Sequence, residues 1–377
     1  MTRSPAVAPS LSDRQRLQWL RLIRTETVGP ATFRELINRY GSAGTAIEML
    51  PELAARGGAT RLPRIPDERE VEAEMEAARR NGARFVAIGE ADYPQMLRRM
   101  DLPPPLIAVK GRSEVFGLPA VSIVGARNAS LAGIRMAKQL AHELGREGYA
   151  IASGLARGID AAAHAGSLDT GTIAVLAGGL DCPYPPENHA LCREIAERGA
   201  VISEMPFGWE PRARDFPRRN RLVAGLGLGL VVVEAAKRSG SLISARLANE
   251  MGRIVFAVPG SPLDPRASGT NGLLKDGATI VTETRDVLEA LAPLNGGPTP
   301  VPPLLSEPEE PTSAPPPGDS DRGRVTEALG PVPVHVDELI RHTGLHPSQV
   351  MTILLELDLA GRLERHVGGS VSLILDT

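Results

Sequence analysis

The chain has 377 residues, 42% hydrophobic and only 3% aromatic, with a net charge of −3. That length calls for two or three domains with a real core, and the charge excludes a global basic field while leaving room for a local basic cleft. Its two cysteines, Cys182 and Cys192, exclude a disulfide framework and, lacking a paired histidine motif, a zinc site. No apolar run of 18 residues and no apolar leader core occur, so a soluble, cytoplasmic protein is expected.

Met1–Ser10 reads as a frayed end. A helical domain is expected over 11–83. Leu17, Leu20 and Ile23 recur at helical spacing, Val28-Gly29-Pro30 breaks the pattern, and Ala31–Tyr40 resumes it up to Gly41. Helix, glycine turn, helix resembles a SAM or helix-hairpin-helix module, which can present peptide N–H groups to DNA phosphates. A plain helical packing domain fits the same pattern. Helix is also expected after Pro66, up to Arg80.

From 84 to 290 the chain alternates strand and helix, the pattern of a parallel α/β sheet. Strands are expected at Phe85–Ile88, Ala120–Val124, Ala150–Ser153, Thr172–Ala177, Ala200–Ser203, Leu228–Val233 and Arg253–Val258. Helices are expected at Leu131–Gly145, Ile159–Ser167, Glu187–Arg198 and Leu242–Met251. The strands are short apolar runs without alternation, as suits strands buried on both faces. Ligands of such sheets bind beyond the strands' carboxyl ends.

Residues 291–320 carry ten prolines among Ser, Glu and Asp, the composition of a linker. Residues 321–377 read as three helices and a hairpin around Gly368-Gly369, a winged-helix-like module. Its third helix, Val350–Leu359, has no Lys or Arg. DNA affinity depends on cations, so protein interaction is the favoured role of this module.

Three glycine loops follow strands: Gly125-Ala126-Arg127, Ser153 to Asp160, and Ala177 to Leu180. They are expected to let backbone approach a ligand, with Arg127 and Arg157 as planar phosphate forks. No G-x-G-x-x-G with its distant acid and no P-loop are present, so neither a dinucleotide site nor an ordinary ATPase is expected. Arg212–Arg221 holds five arginines around Phe216 and against Asp215. An arginine-dense loop opening a short helix is expected here, its ring stacking on an unpaired base and its cations tracking the backbone. A packed phenylalanine beneath a solvated, ion-paired face is the alternative. Ser239-Gly240-Ser241 caps the helix after the next strand and adds peptide donors for phosphate. Asp160, His164 and Glu204 could be imagined as an acid/base or metal set, but Asp160 is better placed to serve its helix start or Arg157. No metal and no cofactor are expected.

These residues closely resemble the DprA/Smf family, the DNA-processing proteins of bacterial natural transformation. The matching motifs run in order: DYP with PPPLIAVKG, SIVGARNAS, SGLARGIDAAAH, TIAVLAGGLDCPYPPEN, ISEMPFG, FPRRNRLVAGL, VVVEAAKRSGSLISARLANE and VFAVPGSPLDPRASGTNGLLKDGA. The resemblance implies an extended Rossmann-like parallel sheet between the helical and winged-helix-like domains, binding single-stranded DNA. It implies a homodimer without enzymatic turnover that protects incoming strands and loads the RecA recombinase, with single-strand binding protein as a further partner. By match, DNA contacts fall on Arg127, Ser153, Gly154, Arg157, Phe216, Arg219, Asn220 and Arg221, with Ser239, Gly240 and Ser241 as phosphate caps. Ala126 departs from the serine or threonine common there. The rival reading is a nucleotide hydrolase resembling lysine-decarboxylase-like Rossmann proteins, with Glu204 or Glu234 as its acid.

Overall fold

A computed structural model describes residues 10–294, 315–366 and 368–374. The expected frayed end, apart from Ser10, and residues 295–314 of the expected linker lie outside the described residues. The helices are α1 (Asp13–Arg24), α2 (Pro30–Tyr40), α3 (Ala43–Arg56), α4 (Glu68–Arg80), α5 (Gln95–Arg98), α6 (Leu131–Arg146), α7 (Ile159–Ser167) and α8 (His189–Arg198). They continue with α9 (Asp215–Leu226), α10 (Gly240–Glu250), α11 (Ser268–Lys275), α12 (Thr284–Leu291), α13 (Asp319–Ala328), α14 (Val336–Thr343) and α15 (Pro347–Leu359). The strands are β1 (Ala83–Ala87), β2 (Leu106–Gly111), β3 (Ala120–Val124), β4 (Ala150–Ser153), β5 (Thr172–Val175) and β6 (Ala200–Ser203). After them come β7 (Gly229–Val232), β8 (Ile254–Ala257), β9 (Thr279–Ile280), β10 (Val334–His335), β11 (Leu363–His366) and β12 (Ser370–Leu373).

The described residues divide into two compact units, one on residues 10–11 and 73–294 and one on residues 12–72 together with 315–366 and 368–374. In the first, the described residues form one nine-stranded sheet in the order β1-β2-β6-β5-β4-β3-β7-β8-β9. From β6 to β9 every pairing is parallel. β2 joins β6 antiparallel, and β1 joins β2 the same way. The sheet is therefore mixed: a parallel body, as expected, extended at one edge by two antiparallel strands. The apolar content of β2 gives no hint of its direction.

β3, β4, β5, β6 and β7 are buried along their whole length, which explains their unbroken apolar runs. α6 and α7 cover one face, where Leu140, Leu144 and Ile159 meet Val121, Ile123, Ile151 and Val231. Ser130 caps α6 by accepting from the Gly133 N–H. α9 buries Leu222, Val223 and Ala224, and Ser122 Oγ donates to the Val223 carbonyl at 2.6 Å. The arginines of 212–221 thus continue into a three-turn helix, where a loop with a short helix was expected.

The second unit joins two segments remote in sequence, 12–72 and the described residues from 315 on. α1 and α2 meet through Trp19 and Phe33, ring centroids 5.0 Å apart. α13, α14, α15 and the small sheet β10-β12-β11 enclose Val325, Leu339, Val350, Ile353, Leu354 and Val371, a winged-helix arrangement. α3, absent from the sequence expectation, packs with α15, as does α2. Gly57 touches the Glu356 backbone so closely that a Cβ has no space. Thr32 Oγ1 donates to Asp358 at 2.7 Å, Arg39 to Thr352 at 2.6 Å, and Arg365 to both Asp358 (2.8 Å) and Glu35 (3.0 Å). The cation-free third helix of the winged module is covered by the chain's own N-terminal helices.

Candidate nucleic-acid interface

Arg127, Gly154, Ala156, Arg157, Tyr184, Pro185, Phe216 and Arg219 line one shallow, open pocket. It sits where the loops after β3, β4 and β5 meet the first turn of α9, at the carboxyl end of the parallel body. Phe216 is its centre. The Arg127 guanidinium lies 5.2 Å from the ring centroid, that of Arg219 5.8 Å, and the Tyr184 ring meets it edge-on at 5.9 Å. Arg127 and Arg157 are exposed, and Tyr184 is 47% exposed. Arg157 reaches Glu187 at 3.5 Å, a long, solvated pair that a phosphate can displace.

The loop 154–158 is held from several sides. Leu155 adopts φ 57° and Gly158 φ 74°, both left-handed. A leucine there carries strain, so its surroundings must fix it. Asp160 accepts the N–H groups of Gly154 (3.2 Å) and Ala156 (3.3 Å), and the Asn188 amide donates to the carbonyls of Leu155 (2.9 Å) and Ala156 (3.1 Å). Arg219 closes the floor. It is only 7% exposed and donates to the Gly154 and Val175 carbonyls. A Cβ on Gly154 would strike that guanidinium. Burial pushes the Asp160 carboxyl up from its ordinary range, opposed by the Arg219 charge and the two peptide donors.

The glycine loops therefore make room mostly for the protein itself. Gly154 admits Arg219, Gly125 lies against Ile159, and Gly178 lies against the Trp209 carbonyl and Pro211.

The other expected residues take other places. Ser153 is fully buried and donates to the Ile123 carbonyl at 2.6 Å, beneath the pocket. Arg221 does not line it: with Arg218 it pairs with Glu204, which is 6% exposed, and it also donates to the Leu102 carbonyl at 2.9 Å. Asn220 accepts from Arg219 Nε at 3.0 Å and donates to the Gly240 carbonyl at 3.4 Å, tying α9 to the start of α10. Ser239, Gly240 and Ser241 stand at that start, where Ser239 Oγ accepts from the Ser241 N–H.

The imagined acid/base set is dispersed. His164 is buried against Thr172 Oγ1 at 2.7 Å, and burial holds its pKa down at about 3. Glu204 serves two arginines, and Glu234 accepts from Ser130 N–H and Oγ. Among the described residues no three His, Cys, Asp or Glu groups converge on a metal site. Tyr184, Pro185 and Asn188 were missed, because a single residue of this kind in a loop shows no periodicity to reveal what it will face. No helix among the described residues is long and apolar enough to cross a membrane.

The sheet unit, with a cationic, aromatic pocket at its strand ends, defines a Rossmann-like protein whose chain also carries a helical and a winged-helix module. Family profiles match each part: DNA recombination-mediator protein A at residues 84–292, the DprA-like N-terminal HHH domain at 13–77, and the DprA winged helix domain at 309–369. Protein Smf of Escherichia coli is 38% identical over 292 residues, covering 74% of each chain. The structure of DNA processing protein A from Streptococcus pneumoniae aligns with TM-score 0.57 and 33% identity, over 74% of this chain and 93% of that one. That of Helicobacter pylori DprA aligns with TM-score 0.52 and 30% identity, over 56% and 96%; it is described for a single-stranded DNA binding mode. The chain belongs to the DprA/Smf family.

Proposed function

We propose that this protein binds single-stranded DNA in the Phe216 pocket, protects it, and loads RecA on it during transformation or recombination. One observation carries the reading: two exposed guanidiniums, of Arg127 and Arg157, flank an aromatic pair open to solvent. Cations that follow phosphates and rings that stack bases are the means by which proteins hold unpaired strands without reading sequence. The lining of three arginines, two aromatic rings and small residues suits an unpaired polyanion, with cations for phosphates and rings for bases. The relative from Helicobacter pylori, described as binding single-stranded DNA, supports the same ligand. A cytoplasmic homodimer working beside single-strand binding protein completes the proposal.

Fluorescence anisotropy with labelled oligo-dT tests it. Binding should weaken steeply with salt and vary little with sequence. Arg127→Glu and Arg157→Glu should each reduce affinity strongly, since both side chains are solvent-facing and their reversal leaves the fold intact. Phe216→Ala should cost about 1–3 kcal/mol of binding if the ring stacks on a base. Unchanged affinity in both charge reversals would remove the pocket from the interface. RecA filament growth on strands coated with single-strand binding protein tests the loading step, and light scattering the dimer.

A further inference from the structure

Beside the pocket stands a second cation–aromatic pair. The Arg212 guanidinium lies 4.9 Å from the centroid of the Trp209 ring. Trp209 Nε1–H donates to Asp215 Oδ2 at 2.9 Å, and the Arg212 backbone N–H donates to the same oxygen at 2.8 Å. Asp215 is 6% exposed, so this carboxylate is a fixed anchor. The Trp209 carbonyl accepts from the Gly179 N–H at 2.9 Å, and the Trp209 N–H donates to the Pro206 carbonyl at 3.2 Å. The indole is thus held at both its ring and its backbone. Trp209 is half-buried, Arg212 is exposed, and among the described residues no carboxylate pairs with the Arg212 guanidinium.

Two connections tie this pair to the pocket. The loop 177–185 carries Gly179, which binds the Trp209 backbone, and Tyr184, which lines the pocket. Asp215, which orients the indole, immediately precedes Phe216. Both aromatic groups are therefore set by the same helix start and the same loop. An aromatic ring covered by an unpaired guanidinium offers a flat cationic face to water. Nucleobases stack on such faces, and the charge meets the adjoining phosphate.

We infer that Trp209 and Arg212 form a second stacking station, taking a base of the same unpaired strand next to the one held at Phe216. The inference rests on the proposed single-strand binding. It makes the groove longer than the pocket and gives it a direction, from the loops after β3 and β4 toward the carboxyl ends of β5 and β6.

Anisotropy with oligo-dT and with an abasic strand of equal length tests it, using wild type, Trp209→Ala, Trp209→Phe and Arg212→Ala. On oligo-dT, Trp209→Ala should weaken binding about tenfold, with Trp209→Phe retaining most of the affinity. On the abasic strand Trp209→Ala should change nothing, because no base is there to stack. Arg212→Ala should weaken both, and oligo-dT more. Trp209→Phe, which keeps a ring, controls for folding, with thermal melting of each variant. Equal losses on both strands, or no loss on either, would overturn the station while leaving the Phe216 pocket standing. Failure of wild type to bind oligo-dT at all would overturn the underlying reading as well.

Discussion

Arg219 shows how much of a charged residue's meaning depends on partners distant in sequence. Of the cluster's cations it is the most buried, and its guanidinium joins the carbonyls of Gly154 and Val175 while supporting the Phe216 ring. Burial lowers its pKa from the ordinary arginine value, with Asp160 pulling the other way. Arg219→Ala leaves buried carbonyls unpaired and should cost about 1–3 kcal/mol of stability, measurable by urea unfolding. Wild-type stability in that variant would mean the carbonyls find water instead. The abundance of arginine was legible in the sequence, and so was a polyanion role. Which arginines face water was not, because Glu204, which takes Arg218 and Arg221, arrives from the end of another strand. Trp209 and Tyr184 were equally silent, each a single ring in an irregular segment.

At the scale of elements, the buried strands were the most readable part. Ala120–Val124, Ala150–Ser153 and Ala200–Ser203 end where their apolar runs end. Strand direction was not readable at the β1–β2 edge, since alternation and apolar content are the same for either orientation. α7 adds a property that no motif shows. His164 on this helix is buried and held neutral with a pKa near 3, against 6.5 when exposed, first by burial and then by the Arg219 charge. A depressed folded pKa gives a stability contribution that is present above pH 6.5 and lost as pH falls toward 3. The sheet unit should therefore weaken on acidification through that window. His164→Gln should flatten this part of the pH profile of thermal melting, and an unaltered profile would count against the assignment.

The whole molecule is organised less simply than three modules on a string. The N-terminal helices and the winged-helix module share one unit, held by Thr32, Glu35 and Arg39 against Thr352, Asp358 and Arg365. Sequence reading separated them because interior complementarity between distant segments leaves no local pattern. Burial raises the Glu35 pKa to about 7, opposed by Arg365, while Asp358 raises it further. Arg39 also faces it and lowers it. A raised folded pKa gives stability that is full below 4.5 and lost as pH rises through about 7, the opposite sense to His164. Arg365→Ala leaves two half-buried carboxylates facing each other and should cost roughly 2 kcal/mol, less than a fully buried pair. Hydrogen exchange should show that loss in α2 as well as in α15; protection lost in the winged-helix segment alone would mean the two segments are energetically separate.

This discontinuity has a consequence for how the molecule is made. On the ribosome, α1 to α3 emerge before the sheet, yet the surface that completes them is α15, which follows the sheet in the chain. Bringing such remote segments together carries a closure entropy that grows only as the logarithm of the intervening length, but the wait itself is set by translation. The sheet can mature in the meantime, whereas α1 to α3 lack their partner surface until α15 is released. A premature stop codon ahead of α15 should therefore cripple α1 to α3 as well.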